Sequence, residues 1–292
     1  MDGHTAIADR GDGEPAELAE AGVSTAAVLV LPIRQWWVLT LRIVRPSLRN
    51  GEVLTALLTP SVFTIGFFVP LNRVMTLFGF GMSSYAQFLM PMIVMQAVSF
   101  CATTAALRAA TDSRDGLDER FAAMPMPTAA PLAARIAATL YRVVIALCAG
   151  LVCGHIIGFR FYGSWWDTVG FLVYTLLLGL MLGLAGDLIG ALSRSPEATT
   201  QALVLPQLIL GMVSTGFAPA AQFPSWIRGF ARNQPVSQFV DVMRVLAGDR
   251  AGGAGGAGAV SWSALGPGIA WLLVALVAFG AGSGVVAARR HR

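Results

Sequence analysis

Lysine is absent from this 292-residue sequence, in which all 20 basic residues are arginine. The absence excludes a nucleotide site whose phosphate loop ends in Gly-Lys-Ser or Gly-Lys-Thr, so any ATP involved is bound by another chain. Charged residues make up only 12% of the sequence and hydrophobic residues 55%, whereas a soluble domain is about a quarter charged. The composition is that of an integral membrane protein.

Cysteine and histidine are also scarce. Cys101, Cys148 and Cys153 fall in apolar runs, without CxxC spacing or a neighbouring histidine cluster, which argues against a metal or redox site. The sequence has no HExxH or GxSxG motif, so a membrane-embedded enzyme is not expected. Its arginines are scattered and have no aromatic stacking platform, so no nucleic-acid partner is expected either.

Long apolar runs dominate the remainder of the chain. A helix needs about 20 apolar residues to cross the hydrocarbon core, and the runs that meet this length are 52–71, 85–107, 137–158, 168–192, 198–217 and 264–287. SRSPE separates the fourth run from the fifth, and Pro196 suits the first turn of a new helix. We therefore predict an all-α integral membrane protein with a six-helix transmembrane domain over residues 51–292.

The placement of arginine predicts the orientation, because positive residues are retained beside the cytoplasmic ends of spans. With the N-terminus inside, the arginines left outside are Arg73, Arg160, Arg228, Arg232, Arg244 and Arg250. An even number of spans returns the C-terminus to the inside, so we expect a multi-pass protein of the inner (plasma) membrane with both termini cytoplasmic. Residues 1–24 are acidic and lack a basic signal region, so we expect a disordered tail.

Residues 25–50 predict an amphipathic helix in the inner headgroup layer. Ile33, Trp37, Thr40, Leu41 and Val44 share one face. Off that face lie Arg34, Arg42, Arg45 and Arg49, and the adjacent Trp36 and Trp37 suit the membrane interface. The helix is either a plain membrane anchor or also a contact surface for a cytoplasmic partner.

The longest cytoplasmic loop, 108–135, predicts a helix of one or two turns. Asp115 can cap a helix over 117–123, acids in its first turn favour the helix dipole, and Pro125 and Pro127 end it. A solvated loop is one interpretation. The other is a docking knob, because Leu117 and Phe121 share a face beside two methionines.

The outer segment, 218–250, predicts two short helices that enter and leave on the same side. Phe223, Trp226, Ile227 and Phe230 share a face of the first, and Phe239, Val240, Met243 and Leu246 share a face of the second. A break at Asn233-Gln-Pro235 separates them, and Gly248 ends the second. We therefore predict a re-entrant hairpin over a transport path, followed by a Gly-rich linker, 251–260.

Asp187 lies in an apolar span, where an ionised carboxylate costs about 2.5 to 3.5 kcal/mol. Arg142 is the candidate partner if Asp187 lies in the inner half of the membrane. A structural ion pair, a role in the substrate path, and a proton relay all remain open. The relay would suit a proton-coupled secondary transporter, although the chain shows no inverted repeat.

These motifs resemble the permeases of type-2 (ABC2 membrane) ABC exporters, over about 36–290. The narrower likeness is to the daunorubicin/doxorubicin-resistance-like permeases, some of which export cell-envelope lipids such as phthiocerol dimycocerosate. The outer segment matches the family pattern at Pro224, Trp226, Asn233, Pro235, Arg244 and Gly248, with Asn-Gln-Pro in place of Asn-Pro. The inner loop matches Gly-x-x-Glu-Arg-Leu at Gly116, Glu119 and Arg120, with Phe121 in place of leucine and Pro125 following.

The resemblance implies an all-helical half-transporter that binds no cofactor itself. It would pair with a second permease, different or identical, and with two copies of a separate ATPase that carries ATP and Mg. The ATPase would bind at the loop helix through Gly116, Glu119, Arg120, Phe121, Met124 and Pro125. The arginine-rich helix would lie beside it. The substrate would be a hydrophobic or amphipathic lipid or drug moved out of the inner leaflet.

Overall fold

The structure, a computed structural model, describes residues 25–78, 84–124, 126–127, 129–193, 195–248 and 262–290. Its regular elements there are helices, as the sequence predicts. They are α1 (Thr25–Ser47), α2 (Glu52–Phe63), α3 (Val69–Phe78), α4 (Tyr85–Arg114), α5 (Leu117–Ala122), α6 (Ala130–Ile157), α7 (Trp165–Leu192), α8 (Pro196–Met212), α9 (Ser225–Asn233), α10 (Pro235–Leu246) and α11 (Trp262–Arg290). The predicted tail, 1–24, and linker, 251–260, lie outside the described residues, as do the last two residues of the outer segment.

Five helical segments in the described ranges are long and apolar enough to cross a membrane. They are Glu52–Met75, Tyr85–Arg114, Ala130–Ile157, Trp165–Leu192 and Leu265–Arg289. The first contains a π-helical turn, Thr64–Phe68, that joins α2 to α3. The fifth predicted span, 198–217, contains α8, whose 17 residues are about 25 Å long, less than the ~30 Å hydrocarbon core. A sixth span therefore remains a prediction.

The predicted break between α7 and α8 is confirmed. Helix α7 ends at Leu192, and Pro196 occupies the first position of α8. The side chain of Ser195 accepts a hydrogen bond from the amide of Ala198 at 3.1 Å, which satisfies one of the free amides at the start of the helix. At the other end of α7, the side chains and backbone amides of Ser164 and Asp167 cap each other reciprocally.

Helix α4 is the centre of the bundle. Every residue from Tyr85 to Ser99 is buried, and the helix packs against α2, α6, α7, α8 and α10. Because α4 contacts protein on every side, no face of it needs to be polar, which agrees with its lack of an amphipathic pattern. The outer helices α2, α3 and α11 leave many large apolar side chains exposed, as lipid-facing helices do.

Small residues bring α4 and α7 into backbone contact. A Cβ atom at Gly186 would lie 2.5 Å from the carbonyl oxygen of Ala102, and one at Gly190 would overlap the carbonyl of Ala106. Gly179, on another face of α7, makes a similarly close approach to α6. In lipid, where apolar burial does not drive helices together, such close packing of small residues stabilises helix association. Helix α7 is thereby held between α4 and α6.

The close approach of α7 to α4 gives a direct test. We expect Gly186→Ala to lower stability by about 1–3 kcal/mol, because the new methyl group overlaps a backbone carbonyl that cannot rotate away. The measurement is the midpoint of thermal unfolding in detergent. Gly284→Ala is the matched control, since a Cβ there meets no atom of the described chain within 4 Å. Equal midpoints for the two variants would contradict the proposed packing.

Candidate functional site

Helix α5 is a short exposed element between α4 and α6. Gly116 precedes it with φ +67°, a left-handed conformation that favours glycine, and Asp118 and Glu119 lie in its first turn. The predicted helix over 117–123 is thus present and ends one residue earlier. Glu119 and Arg120 are exposed beyond it. The side chain of Met124 is also largely exposed. Pro125 lies outside the described residues.

Phe121 connects α5 to α1. Its ring is half-buried, and the guanidinium of Arg42 lies 5.3 Å from the ring centroid, in cation–π geometry. Phe121 therefore anchors α5 to α1, while the side chains of Glu119 and Arg120 before it are exposed. The other arginines predicted for the interface helix, Arg34, Arg45 and Arg49, are exposed. Trp37 is exposed and Trp36 half-buried, and the membrane-interface position of α1 stays a prediction.

Arg135 on α6 joins α5 to α7. Its Nε donates to Asp187 Oδ1 at 2.6 Å, and its Nη1 donates to Asp118 Oδ1 at 3.1 Å. The planar guanidinium can bind two carboxylates at once with fixed relative geometry, which an ammonium group cannot do. Asp187 is only 4% exposed, and this arginine compensates its charge. The prediction that Arg142 is the partner of Asp187 is therefore wrong.

Arg142 instead binds Glu52. Its Nη1 donates to Glu52 Oε2 at 2.6 Å, and the side chain is only 2% exposed. Arg108 of α4 contacts the other carboxylate oxygen of the same glutamate. Glu52 is the first residue of α2, where a negative charge also favours the helix dipole.

These side chains form two groups of ion pairs, Glu52 with Arg108 and Arg142, and Arg135 with Asp118 and Asp187; together we call them the ion-pair cluster. The cluster holds three arginines and three carboxylates, so its formal charges balance. Its members come from α2, α4, α5, α6 and α7. Asp118 joins the short helix α5 to Arg135 of α6, and Arg135 in turn joins it to Asp187 of α7.

The sequence contains a signal for the Arg135–Asp187 pair. Arg135 lies five residues after the start of α6 at Ala130, and Asp187 lies five residues before the end of α7 at Leu192. In antiparallel neighbours, these positions have equal depth. The apolar run of the third span begins only at residue 137, so the sequence pattern assigns Arg135 to the loop. Arg142, two helical turns deeper, is then the candidate partner of Asp187.

At the opposite end of the bundle, Arg244 of α10 is buried and binds three backbone carbonyls. Its Nε donates to the carbonyl of Phe88 at 3.1 Å, and its Nη2 donates to those of Thr215 at 2.9 Å and Gly216 at 3.1 Å. Its guanidinium carbon lies 3.7 Å from the centroid of the Phe88 ring. This motif residue therefore fixes α10 to α4 and to the turn after α8, rather than facing water.

Gly248 ends α10 with φ +76°, and a Cβ there would overlap the backbone of Gly163. Asn233 ends α9, its Nδ2 donating to the carbonyl of Gly229 at 2.9 Å, and Pro235 is the first residue of α10. Pro224 precedes α9, and Trp226 is 80% exposed. The predicted break is therefore present at Gln234, whereas re-entry of α9 and α10 into the membrane stays a prediction.

A metal site finds no support among the described residues, where no group of three His, Cys, Asp or Glu side chains is placed to hold an ion. The carboxylates of the ion-pair cluster are bound by arginines instead. The cluster is therefore suited to transmitting a displacement between helices, and not to binding a cation.

Comparison with known proteins adds a family. Residues 57–288 match the ABC-2 family transporter protein family. The chain is 42% identical over 262 residues to the doxorubicin resistance ABC transporter permease protein DrrB of Mycobacterium tuberculosis, covering 88% of this chain and 90% of that protein.

Two further relatives are more distant. The daunorubicin resistance ABC transporter permease protein DrrB1 of Streptomyces coeruleorubidus is 25% identical over 168 residues, which cover 58% of this chain and 59% of the relative. The probable doxorubicin resistance ABC transporter permease protein DrrC of M. tuberculosis is 27% identical over 159 residues, which cover 54% of this chain and 57% of the relative.

The double ion pair of Arg135 predicts a large stability effect. We expect Arg135→Met to destabilise the protein by about 3–5 kcal/mol, because it removes the cation that binds the carboxylates of both Asp118 and Asp187. Adding Asp187→Leu should recover part of that loss by removing one of the two negative charges that Arg135 balances. Thermal unfolding of the two single variants and the double variant measures the coupling, and Arg232→Met, at an exposed position of α9, is the control. Additive effects of the two substitutions would contradict a direct pair.

Proposed function

This chain belongs to the ABC-2 family of transporter proteins, as its motifs indicate, and we propose that it is the permease subunit of an ATP-driven exporter. In this family the permease is the membrane part of the transporter. A separate ATPase chain, present in two copies, binds ATP and Mg. A second permease, most simply a different homologous chain, completes the pathway. The multi-pass helical bundle and the two relatives named DrrB and DrrC support this arrangement.

The observation that carries the proposal is the bond between α5 and the bundle. Helix α5 presents Glu119 and Arg120 outward, while Asp118 on the same helix binds Arg135. The arginine distribution supports a cytoplasmic position for this end of the bundle, where an ATPase would be. A coupling element requires a surface that binds a partner and that is also bonded directly to buried spanning helices.

The mechanism follows from that connection. Closure of the ATPase on ATP displaces α5. Arg135 passes the displacement to α6 and α7, because its guanidinium binds the carboxylates of Asp118 and Asp187 at the same time. Close packing transmits the motion onward to α4, since tightly packed interiors shift as units and do not deform smoothly. The spans offer mainly apolar groups, which suits a hydrophobic or amphipathic substrate, either a drug or a cell-envelope lipid such as phthiocerol dimycocerosate.

A proton-coupled secondary transporter is the alternative. It would need Asp187 to take up and release a proton during the cycle. Both oxygens of that carboxylate lie within hydrogen-bond distance of Arg135, at 2.6 and 3.4 Å, which supports a structural role instead. The two functions differ in a simple observation: an exporter permease retains an ATPase, whereas a secondary transporter works alone on a proton gradient.

Binding of the ATPase to α5 is testable by substitution. The chain is co-expressed with its genomic neighbours and purified, and the amount of ATPase retained is measured. We expect Glu119→Ala and Arg120→Ala to lower retention by about two- to fivefold each, the effect of losing one exposed polar contact. Arg232→Ala, an equally exposed arginine at the α9 end, should change nothing. If no ATPase binds to the native chain, the exporter proposal is wrong.

Transmission through Arg135 predicts uncoupling without dissociation. Asp118→Asn removes the charge that ties α5 to Arg135 and leaves the Arg135–Asp187 pair in place. We expect the ATPase to remain bound and active while substrate transport into inside-out vesicles falls by about 5- to 150-fold, the span of typical coupling energies. Asp115→Asn, an exposed acid just before α5, is the control. Transport that survives Asp118→Asn would rule out this route.

A further inference from the structure

A cavity of about 390 Å³ lies within the chain, between α4, α7, α8, α10 and α11. Along α4 it runs from Met95 to Thr103, which corresponds to about 12 Å at 1.5 Å per residue. Its volume falls within the ~300–1,000 Å³ of small-molecule sites. The ion-pair cluster is not part of its lining, so the cavity is separate from the coupling element described above.

The lining of the cavity is almost wholly apolar and carries no formal charge. Met181, Leu203 and Leu210 contribute aliphatic surface, and Phe239 and Trp271 contribute aromatic surface. Among the described residues that line it, none is Asp, Glu, Arg or His. Gly186 lines the cavity and precedes Asp187, but the carboxylate of Asp187 is bound to Arg135. A charged ligand group would find no counter-ion here and would lose its hydration without replacement.

Gln96 of α4 is the main exception to the apolar lining. It is only 3% exposed, and no hydrogen bond joins its carboxamide to another group in the described part of the chain. Its amide nitrogen faces α8, 3.1 Å from the position of a Cβ at Gly211. Buried carboxamides are almost always hydrogen-bonded, because an unpaired one loses its interaction with water without replacement. An unpaired carboxamide on the wall of a cavity therefore indicates a ligand that pairs with it.

A second carboxamide faces the same space. Gln207 of α8 accepts a hydrogen bond from the hydroxyl of Thr103 at 3.3 Å, and its Nε2 is buried without an acceptor in the described chain. The amide groups of Gln96 and Gln207 thus both offer unused donors between α4 and α8. The acceptor that fits them is an uncharged oxygen, as in an ester, ketone or hydroxyl group.

We propose that this cavity binds the transported substrate, and that the substrate is an uncharged amphiphile whose carbonyl or hydroxyl oxygens bond to Gln96 and Gln207. This inference rests on the proposed export function and adds the site and its selectivity. It disfavours cationic amphiphiles, which need a carboxylate, and bilayer phospholipids, whose phosphate needs a cation. Substrate recognition on this account lies inside one permease chain.

Photolabelling tests both location and charge selectivity. The full-length chain, in the complex with which it co-purifies, is placed in nanodiscs with one of three probes that carry the same diazirine-bearing acyl chain. The probes are a monoacylglycerol, an alkyltrimethylammonium ion and a phosphatidylglycerol. We expect the monoacylglycerol to label peptides of the cavity-lining helices α4, α7, α8, α10 and α11 at least about tenfold more than either charged probe, because only the neutral head group avoids an unpaired charge.

Substitutions identify the recognising groups. Gln96→Leu and Gln207→Leu should each reduce labelling by the monoacylglycerol about fivefold, the effect of one lost hydrogen bond. Gln201→Leu, the same change at an exposed position of α8 outside the cavity, is the control. Gln96→Glu should raise labelling by the cation, because it adds a carboxylate to the lining. Thermal unfolding of each variant shows that it is folded.

Equal labelling by the three probes would overturn the proposal, and would indicate a cavity filled by any bilayer lipid. Labelling outside these helices, or labelling that the two leucine substitutions leave unchanged, would overturn it as well. Retention of the ATPase is read separately in the same preparation. Its loss would count against the exporter, whereas its presence with non-selective labelling would count against this cavity alone.

Discussion

The interaction on which the rest of this structure depends is the pairing of Arg135 with two carboxylates from different helices. A lone buried charge in an apolar bundle would be strongly destabilising, so each of these three groups requires the others. Asp187 determines where α7 lies against α6, and Asp118 determines where α5 lies beneath both. The same electrostatic requirement that stabilises the fold therefore also connects a surface helix to the transmembrane core.

Close packing extends that connection across the bundle. Glycines on α7 bring its backbone against α4 on one side and α6 on the other. Helix α4 in turn contacts α8 and α10, which border the cavity. A displacement at α5 thus reaches the cavity through helices in direct contact and without any flexible linker. Ion pairs carry it near the α5 end, and backbone contacts carry it further into the bundle.

Much of this organisation could be predicted from the sequence, because local patterns determine it. Apolar length predicted six spans, five of which coincide with long apolar helices in the described residues, and Pro196 predicted the break before α8. The face of α10 that carries Phe239, Val240 and Met243 is buried, as its helical spacing predicts. Each of these features depends on residues within a few turns of one another, where periodicity and helix capping act.

The remaining features depend on partners that are distant in the sequence. Arg244 shows what local patterns do not predict. Its helical position places it off the apolar face of α10, but it is buried because it binds three carbonyls from α4 and the turn after α8. The apolar run of the fifth predicted span continues past Met212, but the chain turns there, and Arg244 binds the carbonyls of Thr215 and Gly216. Such contacts become visible only when residues far apart in the chain are brought together.

The hydrogen bonds of Arg244 to the carbonyls of Phe88, Thr215 and Gly216 also limit how the α9 end of the molecule can move. Helix α10 cannot move away from α4 and the turn after α8 without breaking three hydrogen bonds and lifting Gly248 from the backbone of Gly163. This end of the chain therefore behaves as one rigid body with the central helix, and not as a hinged flap. On the proposed export function, we therefore expect a substrate exit at this end to open between this rigid body and a second permease subunit.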